Sequence, residues 1–355
     1  MGSSDIFISK LDGSGNFMWA KHFGSSSFDF GKAVALDGSG NVFAAGNFSS
    51  GADFDPGVGT SSMTPFGSSD VFISKFDAAG NFVWAKQLGG SNNDFGNAIT
   101  TDALGNVYTA GNFYSTSDFD PGIATFTMNA SLGGGVFVSK LDGAGNFVWA
   151  KQFGAFAAVG SAITLDASSN IYLTGQFAGL ADFDPSPATF TLTSFGGDDV
   201  FVSKLDVSGN FIWAKRIGGP GGDYAESIAV DVVGNVYSTG YFDGTADFDP
   251  DVAVLNFTSS GWTDIYIHKM SQTSVGIQEN TNKNSISIYP NPTTGKFFIQ
   301  SEKAITTEIH NVLGERIQVE AENKVIDLSK YAKGLYFVHC TDEKGNRSIF
   351  KLIRE

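Results

Sequence analysis

The chain has 355 residues, a formal net charge of −15 and a single cysteine, Cys340. This acidic balance offers no basic surface for phosphates, which argues against nucleic acid and anionic membranes as partners. One cysteine excludes an internal disulfide framework, and no apolar run approaches the roughly 18 residues that a transmembrane helix needs.

The type of carboxylate divides the chain near residue 275. Residues 1–270 contain 26 Asp, one Glu and 11 Lys or Arg, whereas residues 271–355 contain 2 Asp, 8 Glu and 11 Lys or Arg. Asp mixed with abundant Gly and Asn is typical of turns, because Asp binds nearby backbone amides and Gly accepts positive φ. We therefore predict an all-β first domain over 1–270, a polar linker over 271–284 and a second domain over 285–355.

The N-terminal segment starts inside a repeated pattern. Residues 1–5 read Met-Gly-Ser-Ser-Asp and align with Phe-Gly-Ser-Ser-Asp at 66–70. They show neither the basic residues nor the apolar run of an export signal. We expect the chain to be part of a longer natural array whose export signal lies outside it. A vector-derived leader is the alternative explanation.

The motif Asn-Phe-x-Trp-Ala-Lys recurs through the first domain at intervals of 65, 65 and 64 residues, with its tryptophans at Trp19, Trp84, Trp149 and Trp213. A fixed period of this length indicates repeats that bury their apolar faces only by stacking on one another. The units lie near residues 5–69, 70–135, 136–198 and 199–263, with a partial unit at 264–270.

Each unit contains four predicted strands, which in the second copy span 98–102, 106–112, 136–141 and 146–152. Connectors that begin with Asp and end with Asn indicate hairpins. Apolar side chains on both faces are expected when sheets stack face to face. We predict a β-propeller-like array of four or five four-stranded blades. Pairing of the opening hairpin 5–23 with 228–242 would close the ring, and an open arc with exposed edges is the alternative.

An Asp-Phe-Asp-Pro loop follows the second hairpin of each repeat. Residues two apart in extended chain project to the same side, so the two carboxylates repel unless a cation or backbone donors offset them. Calcium suits such loops, although it needs about six to eight oxygen ligands. The competing hypothesis is that each Asp binds turn amides ahead of the proline. The candidate calcium ligands are Asp53, Asp55, Asp118, Asp120, Asp182, Asp184, Asp247 and Asp249.

No residue pattern indicates an enzyme. Glycoside hydrolysis needs one acid and one base in unlike environments, whereas these paired carboxylates occur in four equivalent copies. The nucleophile motif Gly-x-Ser-x-Gly is missing, and the four histidines show no metal-site spacing. Cys340 lies in a strand pattern, where an inert buried thiol is expected. We therefore predict no catalytic residue and, calcium aside, no cofactor.

The binding candidates are loops and one aromatic residue. The connections at 25–30, 91–95, 155–159 and 220–224 vary most between copies, and variable loops on a rigid scaffold are where binding usually resides. The four repeated tryptophans could stack on sugars, but equivalent core positions explain them better. Trp262 lies out of register with them and is the better candidate for an exposed contact.

The region after the linker contains short β-patterns broken by Gly and Pro. They lie at 287–299, 309–317, 326–338 and 348–355. Short strands of this kind over about 70 residues predict a small β-sandwich of the immunoglobulin-like type.

The repeats resemble a known bacterial family. The runs 70–77, 81–86 and 105–113 look like the SBBP β-propeller repeat, and the likeness covers residues 5–270. The resemblance implies a propeller fold on a cell-surface or secreted protein, with no one activity attached.

The C-terminal region contains a series of short motifs in a fixed order. Their residues are Tyr289, Pro290, Asn291, Pro292, Gly295, Gly314, Gly334, Tyr336 and Lys351. This series closely resembles the type A sorting domain of the type IX secretion system of Bacteroidetes, whose motif positions these residues occupy. The likeness covers roughly 284–355 and implies recognition by an outer-membrane export machine, followed by release or attachment at the cell surface.

Together these features predict an exported cell-surface or secreted module for binding or adhesion. Its partners would be the type IX secretion machinery, through the C-terminal domain, and an unidentified protein or glycan. The alternative is a non-catalytic scaffold or targeting fragment of a larger exported protein. A hydrolase that uses a central channel is a weaker alternative.

Overall fold

The structure is a computed structural model, which describes residues 4–130, 134–154, 157–251, 253–271, 286–301, 305–311, 315–318, 321–322, 325–342 and 347–355. The chain divides into two compact units, Met1–Gln272 and Thr273–Glu355. No helix is present among the described residues, in agreement with the all-β prediction. In these ranges there is accordingly no helical segment that could cross a membrane.

The first unit is built from strands that recur with the repeat. In chain order they are β1 (Ile6–Leu11), β2 (Phe17–Phe23), β3 (Asp29–Leu36), β4 (Val42–Phe48), β5 (Ala52–Asp53), β6 (Ser62–Met63), β7 (Asp70–Phe76), β8 (Phe82–Gly90), β9 (Asp94–Thr101), β10 (Val107–Phe113), β11 (Thr116–Asp118), β12 (Thr127–Asn129), β13 (Gly135–Leu141), β14 (Phe147–Phe153), β15 (Val159–Leu165), β16 (Ile171–Phe177), β17 (Leu180–Asp182), β18 (Thr191–Thr193), β19 (Asp199–Leu205), β20 (Phe211–Ile217), β21 (Asp223–Val230), β22 (Val236–Asp247) and β23 (Asn256–Met270).

These strands form five blades, numbered here in chain order. Blades 2, 3 and 4 are antiparallel sheets with the orders β3-β4-β7-β8, β9-β10-β13-β14 and β15-β16-β19-β20. Blade 1 is the hairpin β1-β2, and blade 5 is the three-stranded sheet β21-β22-β23. The prediction of stacked four-stranded blades is confirmed for blades 2, 3 and 4.

The first strand of each full blade extends further than its apolar pattern indicates. In blade 3 it begins at Asp94, whereas the predicted start is residue 98. A bulge between Ala110 and Gly111 shifts the register, and it allows Asp94 to pair with Phe113. This added pairing depends on backbone geometry, so hydrophobic periodicity does not reveal it.

The opening hairpin does not close a ring by strand pairing. Within the described part of the chain, β1 and β2 form a sheet of their own. β22 pairs with β21 on one side and with β23 on the other, from Val236 opposite Met270 to Asp247 opposite Asn256. Both edges of β22 are therefore hydrogen-bonded. The predicted pairing of 5–23 with 228–242 is wrong for that reason.

Apolar cores join each blade to the next. Four buried clusters lie between successive blades, and each contains side chains from both neighbours. Between blades 2 and 3, Val71 and Ile73 share one cluster with Phe137. At the two ends of the array the same repeat positions are not covered by a further blade. Phe7 of blade 1 is the equivalent of Phe137, and Ile265 of blade 5 is the equivalent of Val71. Phe7 is accordingly 76 % exposed and Ile265 is 83 % exposed.

The hairpin connectors are held by their Asp and Asn residues. Oδ1 of Asp12 accepts the N–H groups of Ser14 and Asn16, each at 2.8 Å, and Oδ2 accepts the Asn16 side-chain amide at 2.8 Å. These hydrogen bonds, led by the one from the Asn16 side chain, lower the pKa of Asp12. The same pattern occurs at Asp37, Asp77, Asp102, Asp142, Asp166, Asp206 and Asp231.

The second unit contains β24 (Ile286–Tyr289), β25 (Lys296–Ser301), β26 (Ile305–Asn311), β27 (Arg316–Ile317), β28 (Ala321–Glu322), β29 (Val325–Asp327), β30 (Gly334–Asp342) and β31 (Arg347–Arg354). They form two sheets with the orders β24-β25-β29-β28 and β27-β26-β30-β31. One core contains Phe297 and Ile326 from the first sheet and Ile309, Val338 and Leu352 from the second. The unit is therefore a two-layered sandwich, and its immunoglobulin-like type stays a prediction.

Candidate functional site

The Asp-Phe-Asp-Pro loops lie where one blade meets the next. In the second repeat, β11 ends at Asp118, which pairs with Gly89 of β8, the outer strand of the preceding blade. Each loop therefore connects the outer strand of one blade to the following blade. The corresponding bridges join Gly24 to Asp53, Gly154 to Asp182 and Gly218 to Asp247.

Both aspartates of each loop accept backbone hydrogen bonds. Oδ1 of Asp118 accepts the N–H of Asp120 at 3.0 Å and that of Phe126 at 2.8 Å. Oδ1 of Asp120 accepts the N–H of Gly122 at 2.8 Å. These are the contacts that the turn hypothesis requires. Equivalent bonds are made by Asp53, Asp55, Asp182, Asp184, Asp247 and Asp249.

Calcium binding at these loops stays a prediction. One oxygen of each carboxylate already accepts N–H groups, so a cation would need the second oxygens together with backbone carbonyls. Over the described ranges, Asp, Glu, His and Cys side chains form no group of three or more that could hold a metal ion.

Substitution of Asp118 separates the two hypotheses. Asn keeps the Oδ1 acceptor and removes the charge, so Asp118→Asn should retain most of the stability if the turn amides are what matters. Asp118→Ala leaves two N–H groups without their acceptor and should lose about 1 kcal/mol. We expect urea denaturation to show that Asp118→Asn is more stable than Asp118→Ala. A chelator should leave the stability of the unsubstituted chain unchanged. A melting temperature that falls on dialysis against a chelator and recovers with calcium would instead demonstrate a metal site.

The phenylalanine between the two aspartates is a core residue that sequence analysis did not single out. The ring centroid of Phe119 lies 5.1 Å from that of Phe113 and 4.9 Å from that of Phe137. The loop thus closes the core between two blades in addition to joining their strands. The signal was present in the sequence, because an aromatic residue occupies this position in all four copies. The equivalent buried residues are Phe54, Phe183 and Phe248.

A second set of carboxylates lies buried at the blade boundaries, and sequence analysis missed it too. Asp70 begins β7 of blade 2 and Asp94 begins β9 of blade 3, and their exposed fractions are 0 % and 1 %. Both carboxylates lie within 2.9 Å of the position that a Cβ on Gly89 would take. The absence of a side chain at Gly89 therefore makes room for the pair. Asp199 and Asp223 repeat the arrangement between blades 4 and 5.

The boundary between blades 3 and 4 lacks this pair. Gly135 begins β13 where Asp70 begins β7. Ala158 lies against Gly154 as Asp94 lies against Gly89. The simultaneous replacement indicates that the two carboxylates form one unit, and that an apolar boundary also holds blades together.

Burial controls the protonation of these pairs. It raises the pKa of Asp94 and of Asp223 to about 6, and it also raises the pKa of Asp70 and of Asp199. Hydrogen bonds oppose this effect in part, for example from the N–H of Gly90 to Oδ2 of Asp94 at 2.7 Å. A carboxyl whose pKa is raised on folding favours the protonated folded state. Its contribution to stability is present at low pH and is lost as pH rises through about 6.

We expect the free energy of unfolding to fall between about pH 4 and pH 7 as these pairs ionise. Replacing one pair by the residues of the third boundary, Asp70→Gly with Asp94→Ala, should flatten this dependence. Urea denaturation across the pH range measures it. Asp77→Asn is the control. The hydrogen bond from Asn81 lowers the pKa of Asp77, so the ionisation of Asp77 affects the free energy of unfolding below this pH range. An unchanged slope in the double variant would contradict the assignment.

A cavity of about 620 Å³ opens beside the variable connection at 91–95. Two of its lining residues are hydrogen-bonded to each other, with Asn92 donating from Nδ2 to Oγ of Ser115 at 2.6 Å. The ring of Tyr114 packs edge-on against Phe95, with centroids 6.5 Å apart. We call it the Tyr114 cavity. Among the described residues, its lining is formed by Asn92, Asn93, Tyr114, Ser115, Thr116, Asn129 and Ala130.

The repeated tryptophans and Trp262 differ in environment. The Trp84 ring lies 6.0 Å from that of Phe43, and its Nε1 donates to the carbonyl oxygen of Gly143 in the next blade at 3.3 Å. Trp19, Trp149 and Trp213 pack against the equivalent cores. Trp262 is almost fully exposed, and a contact there stays a prediction.

The structure brings the first and last sorting-motif residues together. Asn291 donates from Nδ2 to the carbonyl oxygen of Lys351 at 2.7 Å, and its Oδ1 accepts the N–H of Ile353 at 2.9 Å. The segment that contains Pro290 and Pro292 is therefore attached to β31. Gly314 lies outside the described residues.

The other motif residues have structural partners or special backbone. The Tyr289 ring stacks on Phe298 at 5.6 Å. Tyr336 is buried, and its hydroxyl donates to the carbonyl oxygen of Ala332 at 2.6 Å. Gly334 and Gly295 both have φ near 144°. A Cβ on Gly295 would lie 2.3 Å from Oγ and 3.1 Å from Cα of Ser329, and the positive φ would strain any other residue, so glycine is favoured there.

Comparisons with known proteins agree with this architecture. The family model described as a secretion system C-terminal sorting domain matches residues 287–355. The model described as a beta-propeller repeat, SBBP, matches residues 83–120 and 212–248.

Two curated relatives share part of the chain. An uncharacterized WD repeat-containing protein of Acanthamoeba polyphaga mimivirus is 27 % identical over an alignment of 243 residues, and the match covers 59 % of this chain and 17 % of that protein. The regulatory protein FlaEY of Caulobacter vibrioides is 25 % identical over 124 residues, 35 % of this chain and 13 % of FlaEY. The chain thus spans less than a fifth of either relative.

Among solved structures, a protein of unknown function from Bacteroides caccae aligns over 99 % of this chain and 94 % of its own. Its sequence identity is 10 % and its TM-score is 0.34, a likeness that carries no argument about the fold.

Proposed function

Because the chain carries SBBP β-propeller repeats and a type IX secretion sorting domain, we propose that it is an exported module that binds a protein or glycan. The sorting domain indicates export to the cell surface or the medium. Binding or adhesion there is the function that we infer for the propeller. The C-terminal unit would be the part that the type IX machinery recognises.

The contrast between cores and connections carries this proposal. Phe72, Phe137 and Phe201 occupy one repeat position, and all three are fully buried. The connection that begins each blade differs in every copy, with Asn92 standing where the first copy has Ser27 and the fourth has Gly221. A constant scaffold with one variable set of loops is the arrangement on which binding sites are commonly built.

The buried carboxylates support a non-catalytic role. The pairs Asp70/Asp94 and Asp199/Asp223 are the arrangement most similar to a catalytic dyad, yet at most 1 % of each residue is exposed. A general acid or base must come within hydrogen-bonding reach of its substrate. Enclosure between blades prevents such contact, so these pairs fit a structural role.

The second candidate is a scaffold or targeting segment of a larger exported protein. Its support is the length of the curated relatives, of which this chain matches 17 % and 13 %. In that case the repeats would position other domains and would need no ligand of their own.

Arrays of glycans and of extracellular proteins, probed with the labelled full chain, test the proposal. The control is a chimera in which residues 90–93 are replaced by the equivalent residues 219–222, which keeps the loop length and the flanking Gly and Asp. We expect binding on at least one array and weaker binding by the chimera. Silence on both arrays would contradict a binding function and favour the scaffold.

A further inference from the structure

We propose that the Tyr114 cavity is a subsite for a neutral saccharide. This inference rests on the binding function proposed above and names its site and ligand class. It stands on the residues that are peculiar to the second repeat, on the chemistry of the lining and on the backbone of Ser115.

Two residues of the lining are specific to the second repeat. Tyr114 and Asn129 replace side chains that cannot offer an aromatic ring or a carboxamide. Tyr114 stands where the other copies have Ser49, Ala178 and Asp243. Asn129 stands where they have Thr64, Thr193 and Thr258. These substitutions touch no buried position, since both residues are exposed, so the packing of the blades does not require them.

The lining is polar but carries no charge. Its carboxamides and hydroxyls both donate and accept hydrogen bonds, as the hydroxyl groups of a sugar do. An anionic or cationic ligand would find no opposite charge among the lining residues. The ring of Tyr114 adds an apolar surface against which the C–H face of a sugar ring can pack. A few directed polar groups beside an aromatic surface are typical of small-molecule sites.

The backbone of Ser115 supports a functional reason for this arrangement. Its φ is 60°, a left-handed conformation that non-glycine residues adopt rarely. The third and fourth copies have Gly179 and Gly244 at this position, with φ of 72° and 68°. Serine thus keeps its hydroxyl where glycine would be less strained, and strain of this kind tends to be retained at functional sites.

Two hydrogen bonds hold Ser115 in place. Its hydroxyl accepts from the Asn92 amide at 2.6 Å, and its carbonyl oxygen accepts the N–H of Ala130 at 2.8 Å. The connection at 91–95 and the end of β12 are thereby linked through one residue. A ligand would meet polar groups that are already positioned, which lowers the entropy cost of binding.

The size of the cavity suits a short oligosaccharide. Ligand pockets usually enclose about 300–1,000 Å³, and the Tyr114 cavity encloses about 620 Å³.

The test uses the full chain and arrays of neutral and acidic oligosaccharides, followed by calorimetry with the neutral sugars that bind. Tyr114→Ala and Asn129→Thr install residues that other copies already have, so both variants should fold. We expect each to weaken binding about tenfold or more, as loss of a ring face or of one hydrogen-bonded group would. Ser49→Ala, at the first-copy equivalent of Tyr114, should leave the affinity unchanged. Thermal melting confirms that all three are folded.

The possible failures are distinguishable. A neutral sugar that all variants bind equally would overturn the cavity assignment and leave the binding function intact. Binding of proteins only, or of acidic sugars in preference, would overturn the ligand class. Silence of the oligosaccharide arrays would overturn this inference, and silence of the array of extracellular proteins as well would overturn the proposed function.

Discussion

Replacement of Phe137 by Ala should lower the free energy of unfolding by roughly 3–5 kcal/mol, the usual cost of truncating a buried phenylalanine. Its side chain is 0 % exposed and packs against Phe113 and Phe119 in the core that joins blades 2 and 3. Over the described residues, backbone pairing between successive full blades consists of short stretches such as Asp118 opposite Gly89 and Ser69 opposite Asn93. The buried cores and the Asp-Phe-Asp-Pro loops are therefore the main contacts that hold the array together. Loss of one ring should therefore loosen a whole boundary.

Phe7→Ala is the control at the same repeat position in blade 1. Phe7 is 76 % exposed because no blade covers it, so its truncation should change stability by no more than about 0.5 kcal/mol. Urea denaturation of both variants measures the difference. An equal loss for the two would show that the end face of blade 1 is covered in solution, contrary to the structure.

Gly111→Ala should cost about 3 kcal/mol, at the upper end of what overpacking usually costs. A Cβ at Gly111 would lie 1.8 Å from the backbone carbonyl oxygen of Phe95. The clash is with main chain of the neighbouring strand at the bulge, so no side-chain rotation relieves it. Equivalent approaches of 1.8–1.9 Å to main-chain oxygens occur at Gly46, Gly175 and Gly240.

Gly13→Ala is the matched control in a hairpin connector. A Cβ there would meet nothing within 4 Å, and the lost backbone freedom of the unfolded chain should leave stability unchanged or slightly higher. Denaturation of both variants, with circular dichroism to confirm folding, separates a local clash from a general intolerance of glycine substitution. A Gly111→Ala chain as stable as the parent would contradict the bulge geometry.

The cores and the candidate site are connected through the same loops. The connection that precedes β9 contributes Asn92 to the Tyr114 cavity and leads directly to Asp94 of the buried pair. Residues of the cavity are thus positioned by a boundary whose protonation changes near pH 6.

Much of this architecture was readable from the chain because it depends on local, repeated chemistry. The Asp and Asn of each connector satisfy turn amides within five residues, so their spacing predicts each hairpin. Apolar side chains on both faces of a strand such as β14 require a neighbour on each side, which predicts stacked blades. The Asp-Phe-Asp-Pro loops were also visible in the sequence. The structure adds the N–H donors to Asp118 and Asp120, and calcium binding there stays a prediction.

Long-range packing settled what local patterns left open. Residues 264–269 at the end of β23 resemble residues 5–10 of the opening hairpin, and only the hydrogen bonds along β22 show which of the two segments is its partner. Asp70 and Asp94 are 24 positions apart and look like ordinary turn residues until two blades bring them together around Gly89. The Tyr114 cavity likewise joins three separate segments. Such features depend on distances between residues that are remote in the chain, and hydrophobic periodicity carries no information about those distances.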